Sequence, residues 1–402
     1  EAHSYVSLQT STTASPTSTD YSSTTTTTTG TTTGILSEDV NHSERRLYII
    51  YIIVLVAHFS CVKSSTTTQD VSSGMNWHCG DEANNIPPMK YFTKFESKEL
   101  GQELIDLALA YKANPRLDQA KGQGKRVGCI FLNPSLRTRV STQIAAQNLG
   151  MEAMVLNMDK EGWALEMQEG AIMNKGTVEH ITDAAGVLGS YFDILAIRAF
   201  PSLTNKEEDM TDFIFGQFIK YSGIPVVSLE SATRHPLQSL ADQITIQEHL
   251  AGKKKPKVVL TWGPHIKSIP HAVANSFAEW SLGMGHDLTI THPEGYELHE
   301  SFTTGATIEY DQSKALQDAD FVYVKNWSAF NEYGKILCTD SRWMLTEDHF
   351  KNASNGKVMH CLPVRRNLEL SDEILDGSRS LVQKQAENRI YAAQAVLSKI
   401  LG

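Results

Sequence analysis

Cysteine is scarce in this chain. Five occur in 402 residues, an odd number and widely spaced, which excludes a disulfide framework. No Cys-x-x-Cys pair and no His-Glu-x-x-His segment is present. A metal site therefore has no sequence support. Basic charge is in deficit too: 36 Lys and Arg face 46 Asp and Glu, a formal net charge of −10. A general nucleic-acid binder needs a basic face, so that class is excluded. A long apolar run is also missing. Leu47–Val62, preceded by Arg45-Arg46, has 16 residues and is interrupted by His58 and Ser60. A spanning helix needs roughly 20 apolar residues.

What is present divides near residue 88. Of residues 1–34, 21 are Ser or Thr, including the run Thr24–Thr29, and Ser64–Ser73 is similar in texture. Such sequence has little to bury, so 1–88 is expected to be a disordered leader. It reads as misread gene sequence or a dispensable extension, with Met89 as a natural start for a compact enzyme. The alternative is a real targeting or anchoring segment carried by 47–62. Membrane contact is expected only through such a leader, and the globular part is expected in the cytoplasm.

From Met89 onward, short apolar runs alternate with helical stretches. Arg126–Leu132, Ala153–Leu156, Ile194–Ile197 and Pro225–Leu229 read as strands, with helices over Val178–Leu188 and Asp212–Tyr221 between them. The pattern restarts after Ala251 with Lys257–Thr261, Asp287–Thr291 and Phe321–Lys325. Strands separated by helices make a parallel sheet covered on both faces. The expected fold class is therefore α/β: two doubly wound parallel-sheet domains. A helix from Pro236 to about Leu250 would join them, and a last helix over Ala386–Leu401 would close the chain.

The sharpest local signal is Phe131-Leu132-Asn133-Pro134-Ser135-Leu136-Arg137-Thr138-Arg139. A strand ends, Pro134 breaks it, and Ser135 is placed to begin a helix. Free N–H groups at a helix start favour anions. Hydroxyls from Ser135 and Thr138 and charged forks from Arg137 and Arg139 suit phosphate oxygens. Three more motifs follow in order: Arg234-His235-Pro236-Leu237-Gln238, His360-Cys361-Leu362-Pro363 and Ala386-Glu387-Asn388-Arg389. Together they resemble the aspartate/ornithine carbamoyltransferase family over the whole stretch from Met89 to Gly402.

The resemblance implies a carbamoyl-phosphate-binding domain at 89–229, with helix 386–401 packing back on it, and an amine-binding domain at 230–385. It implies carbamoyl-phosphate contacts from Ser135, the Leu136 N–H, Arg137, Thr138, Trp163, Arg198, His235, Gln238, Cys361, Leu362 and Arg389. Trp163 would reach the site of a neighbouring subunit in a homotrimer with shared active sites. Of these residues, Arg137, Thr138, His235 and Cys361 would carry the catalysis. An imidazole at 235 is suited to polarise a carbonyl oxygen as it gains charge. The chemistry implied is direct attack of an amine, not an acyl-enzyme through Cys361, and it implies no metal or organic cofactor.

The choice of amine rests on a second set of residues. The ornithine enzymes of this family carry an Asp-x-Trp-x-Ser-Met-Gly loop for the free α-amino group; here Val324-Lys325-Asn326-Trp327 stands in its place. A lysine repels an α-ammonium but pairs with the α-carboxylate of an ornithine whose amine is already acylated. Asn326-Trp327-Ser328 is also a glycosylation sequon, and a glycan in a substrate loop would be disruptive, which disfavours secretion. Thr261-Trp262-Gly263-Pro264-His265-Ile266-Lys267-Ser268-Ile269-Pro270 resembles the proline-bearing loop of the N-acylornithine branch, where a similar loop helps knot the chain. Glu230 and His265 match residues lining the acylornithine site. Val178 occupies a position where acetyl-type relatives have Glu and succinyl-type relatives have Pro. An uncharged residue there, with Arg365, Lys325 and Lys267 as candidate cations, points to a succinyl group, the alternative being acetyl. A non-catalytic, membrane-anchored relative is the other reading, and the intact motifs argue against it. Val178→Glu is expected to move kcat/KM from N-succinylornithine toward N-acetylornithine. A wild type that already prefers the acetyl substrate would overturn both the assignment and its reasoning.

Overall fold

A computed structural model describes residues 89–158, 160–351 and 356–402. The Ser/Thr-rich stretches and the apolar segment 47–62 lie outside them. Among the described residues, no helix is long and apolar enough to cross a membrane.

Two five-stranded parallel sheets organise the chain. The first contains β1 (Tyr91–Phe92), β2 (Arg126–Phe131), β3 (Glu152–Asn157), β4 (Ile194–Arg198) and β5 (Val226–Glu230), in the order β1-β5-β4-β2-β3. The second contains β6 (Lys257–Trp262), β7 (Asp287–Thr291), β8 (Thr307–Glu309), β9 (Phe321–Lys325) and β10 (Lys357–Met359), in the order β8-β7-β6-β9-β10. The longer helices are α1 (Lys98–Ala113), α2 (Arg137–Asn148), α3 (Ile181–Tyr191), α4 (Phe213–Ser222), α5 (Pro236–Glu248), α6 (Ala272–Met284) and α7 (Val382–Leu401).

The unbroken apolar runs of the central strands have a direct cause. Side chains alternate between the faces of a strand, and here both faces are buried. In β2, Val127, Cys129 and Phe131 pack into one cluster, while Ile130 packs into the cluster on the opposite face. In β9, Phe321 and Tyr323 face one cluster and Val322 and Val324 the other. α7 returns to the first sheet, placing Ala392, Ala393, Val396, Leu397 and Ile400 in its core. The Tyr111 hydroxyl of α1 donates to Asp118 Oδ2 and accepts from Ser398 Oγ of α7 at 2.6 Å.

The expected two-sheet α/β architecture is present, and the helix boundaries move for local reasons. α2 begins at Arg137, two residues after Ser135, and Leu136 at its N-cap offers no side-chain cap. α3 begins at Ile181 because Glu179–His180 pairs with Leu165–Glu166 as a short ladder. His180 then caps the helix by accepting from the Thr182 N–H. α7 starts four residues before Ala386. α1 and α6 are additional to the expected helices.

The α3–α4 packing offers a test of close approach. A Cβ added at Gly189 would lie 1.9 Å from the Ser222 carbonyl oxygen. Alanine gains about 1 kcal/mol in helix propensity over glycine, but overpacking against backbone costs more. Gly189→Ala is expected to lower stability by about 2 kcal/mol net, read as a lower urea midpoint at an unchanged m-value. An unchanged midpoint would mean that the two helices slide apart freely.

Candidate active site

In open parallel sheets, ligands bind beyond the carboxyl ends of the strands. A cleft of about 520 Å³ lies there in this chain. From the first sheet side come Ser135, Leu136, Arg137 and Thr138 after β2, Arg198 at the end of β4 and Glu230 at the end of β5. His235 and Gln238 enter from the start of α5, and Arg389 from α7. The second sheet supplies Lys325 at the end of β9, His265 after β6, and Cys361 and Leu362 after β10.

Four cations (Arg137, Arg198, Arg389 and Lys325) share this cleft with two carboxylates, Glu230 and Glu369. The local field is therefore positive although the chain is acidic overall. Arg198 pairs through Nη1 with Glu230, and its guanidinium lies 4.3 Å from the centre of the Phe200 ring. Arg389 donates from Nη2 to Thr138 Oγ1, joining the last helix to the start of α2. Several buried polar atoms of the cleft residues have no partner: Arg137 Nε, Arg198 Nε, His235 Nδ1 and Gln238 Oε1. Unsatisfied polar atoms are uncommon in folded proteins, and their concentration here marks a place for a polar ligand.

The electrostatics follow from burial. His235 is held well below the usual histidine range by burial, and then by the charges of Arg389, Arg198 and Lys325. It is a neutral imidazole at neutral pH. Burial pushes the Cys361 thiol up, against the pull of Lys325, so the sulfur is no ready nucleophile. Burial also lowers Arg389, but only to about 10, and it stays charged. Burial works against the charge on Glu369, yet the pull of His360 and Lys325 and the Arg365 N–H outweigh it and hold Glu369 low.

The chain around Cys361 is fixed by its neighbours. The Leu362 N–H donates to His360 Nδ1 at 2.9 Å, and His360 Nε2 lies 3.5 Å from Glu369 Oε1. The Leu362–Pro363 peptide is cis. Glu369 and Phe200 line the cleft and are not among the residues singled out from sequence. A carboxylate just past Arg365-Arg366 reads as surface charge; only its fold places it inside.

Five residues singled out from sequence do not line the cleft, Arg139 among them: it is exposed and borders a neighbouring hollow with Lys160 and Glu161. Trp163 is exposed and donates to Glu179 Oε2 at 2.8 Å. Val178 is 64% exposed, on the same segment. Lys267 is exposed, and its backbone carbonyl accepts from His265 Nδ1 at 3.0 Å. Arg365 stands at the rim, donating from Nε to His265 Nε2 at 3.1 Å. The sequon asparagine is buried and donates from Nδ2 to the Gly263 carbonyl at 2.6 Å, a setting closed to a glycan. Among the described residues, no group of three or more His, Cys, Asp and Glu is placed to hold a metal.

Two parallel α/β lobes with a cationic cleft at their strand ends define an α/β protein built to receive an anionic, phosphate-type ligand. Comparison with known proteins narrows this. Residues 91–248 match the carbamoyl-P binding domain of aspartate/ornithine carbamoyltransferases, and residues 270–400 match the Asp/Orn binding domain. The chain belongs to the aspartate/ornithine carbamoyltransferase family. It is 46% identical over 310 residues to N-succinylornithine carbamoyltransferase of Bacteroides fragilis, covering 75% of this chain and 96% of that protein. It is 34% identical over 322 residues to N-acetylornithine carbamoyltransferase of Xanthomonas campestris pv. campestris, covering 74% of this chain and 93% of that protein. Among solved structures it resembles acetylornithine transcarbamylase complexed with acetylcitrulline, with TM-score 0.74 and 32% identity over 78% of this chain and all of that one. An N-acetyl-L-ornithine transcarbamylase variant complexed with carbamyl phosphate and N-succinyl-L-norvaline fits equally, with TM-score 0.74 and 32% identity over the same shares.

The buried histidines predict how stability depends on pH. Burial lowers both His271 and His286 to about 4; His235, His292 and His360 are lowered as well. Below the unfolded value of 6.5 the unfolded chain binds protons that the native chain refuses, so stability falls as pH drops from 6.5 toward 4. Asp242, raised by burial to about 7, works in the opposite direction, and the histidines outnumber it. His271 and His286 should each contribute roughly 3 kcal/mol to the loss. The check is a series of urea midpoints between pH 7 and pH 4 with His271→Asn and His286→Gln; variants as acid-sensitive as the wild type would refute it.

Proposed function

We propose that this enzyme transfers the carbamoyl group of carbamoyl phosphate to the δ-amine of N-succinyl-L-ornithine, yielding N-succinyl-L-citrulline and phosphate. One observation carries the reading: four cations and several unpartnered buried polar atoms converge on a single cleft between a phosphate-type loop and a lysine-bearing second lobe. The higher identity to the N-succinylornithine enzyme than to the N-acetylornithine enzyme favours the succinyl substrate.

In this reading Ser135, the Leu136 N–H, Arg137, Thr138, Arg198 and Arg389 hold the phosphate group. The open N-terminus of α2 adds its N–H groups and dipole. Arg137, Thr138 and His235 receive the carbonyl oxygen, and Gln238 and the Leu362 carbonyl receive the carbamoyl amide. The acylornithine enters last, with Lys325 on its α-carboxylate and Glu230 and His265 along its chain; Arg365 and Lys267 at the rim serve the distal carboxylate. The neutral δ-amine attacks the carbonyl carbon and forms the new N–C bond. The tetrahedral intermediate then breaks its C–O bond, and phosphate leaves with the amine's proton. Holding both substrates in one cleft supplies much of the rate. Buried guanidiniums stabilise the charge that develops on oxygen.

Trp163 and Val178 enter through assembly. The segment that carries them also exposes Ile172 at 82% and Met173 at 39%, an apolar surface suited to a second copy. A homotrimer in which the partner subunit's Trp163 completes each site accounts for a residue set that one chain leaves apart. The same resemblance extends to a knotted course of the 261–270 loop and to a place in arginine synthesis through acylated intermediates.

The deciding experiment supplies carbamoyl phosphate with ornithine, N-acetylornithine or N-succinylornithine and measures the citrulline-type product. N-succinylornithine should give the highest kcat/KM, and ornithine the lowest. Preference for N-acetylornithine would favour the acetyl reading, and no product from any amine would sink the enzyme reading.

A further inference from the structure

Beneath the cleft lies a fully buried carboxylate that the transfer chemistry above does not use. Asp242 sits on α5 one turn beyond Gln238 and has no exposed surface. Its Oδ1 accepts from Gln238 Nε2 at 2.8 Å and from Gln385 Nε2 at 2.6 Å. Gln385, on α7, is also fully buried, and its Oε1 accepts from the His360 N–H at 2.9 Å. One carboxylate oxygen therefore ties together α5, α7 and the chain entering Cys361.

The chemistry of the partners dictates their orientation. An amide side chain has a donor edge and an acceptor edge, whereas Oδ1 of Asp242 only accepts. Both glutamines must turn their NH2 groups toward it. The oxygen of Gln385 is used by His360, but Oε1 of Gln238 is buried in the cleft wall with no partner. A ligand must bring a donor to it or leave a buried acceptor unpaired, which costs about 1–3 kcal/mol. Ionisation of Asp242 does not disturb this. Its Oδ2 is unpartnered and takes a proton while Oδ1 goes on accepting.

We infer that Asp242 is a specificity-determining positioning residue: it locks the Gln238 amide with its oxygen toward the cleft, so that the site takes an acyl phosphate bearing an N–H donor and discriminates against one bearing a methyl group. The inference rests on the reading of carbamoyl phosphate as substrate. It adds the expectation that acetyl phosphate, of nearly the same shape and charge, binds more weakly.

Calorimetric titration with carbamoyl phosphate, acetyl phosphate and inorganic phosphate tests it. The wild type should bind carbamoyl phosphate at least roughly tenfold more tightly than acetyl phosphate, the worth of one buried hydrogen bond. Asp242→Leu frees the Gln238 amide to turn and should bring that ratio close to one, with inorganic phosphate affinity unchanged because the phosphate ligands are untouched. Asp242→Asn should keep the ratio: Gln385 remains fixed by His360, so the introduced amide must still present its oxygen. Should Asp242→Leu fail to fold, Asp242→Ser makes the same test, since a hydroxyl meets either edge of the amide. An Asp242→Leu or Asp242→Ser variant that keeps the wild-type ratio, or that loses all three ligands in parallel, overturns the inference and leaves the proposed activity standing. A wild type with no discrimination overturns both.

Discussion

Like charges crowded into one buried cleft are the constraint on which the rest of this structure depends. Arg137, Arg198, Arg389 and Lys325 would repel one another and lose their hydration at the same time. The fold offsets part of this with Glu230 against Arg198, Thr138 against Arg389, and Glu369 near Lys325. It leaves the remainder uncompensated. That remaining positive field, together with burial, holds His235 neutral, and it reserves the cleft for a dianionic ligand. Such a site is costly to maintain empty and is satisfied by what it binds.

Rigidity beneath the cleft complements the charge within it. Asp242, Gln385 and Asn388 are fully buried polar groups at the junction of α5 and α7. Asn388 donates to Thr245 Oγ1 at 2.9 Å, and Gln385 and Asp242 bridge the same two helices one turn away. These bonds carry direction as well as energy. They set which edge of the Gln238 and Gln385 amides is turned toward Asp242, a property that apolar packing cannot encode. The helix that ends the chain thereby belongs to the active site as much as to the core of the first sheet.

Much of this is legible in the sequence because the relevant signals are local. The apolar runs at Arg126–Phe131 and Phe321–Lys325 announce strands buried on both faces. Pro134 followed by Ser, Thr and Arg announces a turn into an anion-binding helix start. What stays hidden is long-range. Glu369 reads as a surface carboxylate in a charged loop until the return of the chain buries it beside His360. Val178 and Trp163 carry the opposite lesson. Their motifs mark them as site residues, yet the fold leaves them exposed and outside the cleft.

By itself, the sequence determined the two parallel sheets and most of the residue types at the site. Both follow from patterns a few residues long, where alternation, turn chemistry and motif spacing act locally. Tertiary structure alone decided which side chains share a cleft, which buried atoms go unpaired and which way the Gln238 amide faces. Those depend on contacts such as Arg389 with Thr138 and Gln385 with Asp242, between residues more than a hundred positions apart in the chain. No local pattern specifies such pairs, because their energies exist only once the two sheets and the closing helix have come together.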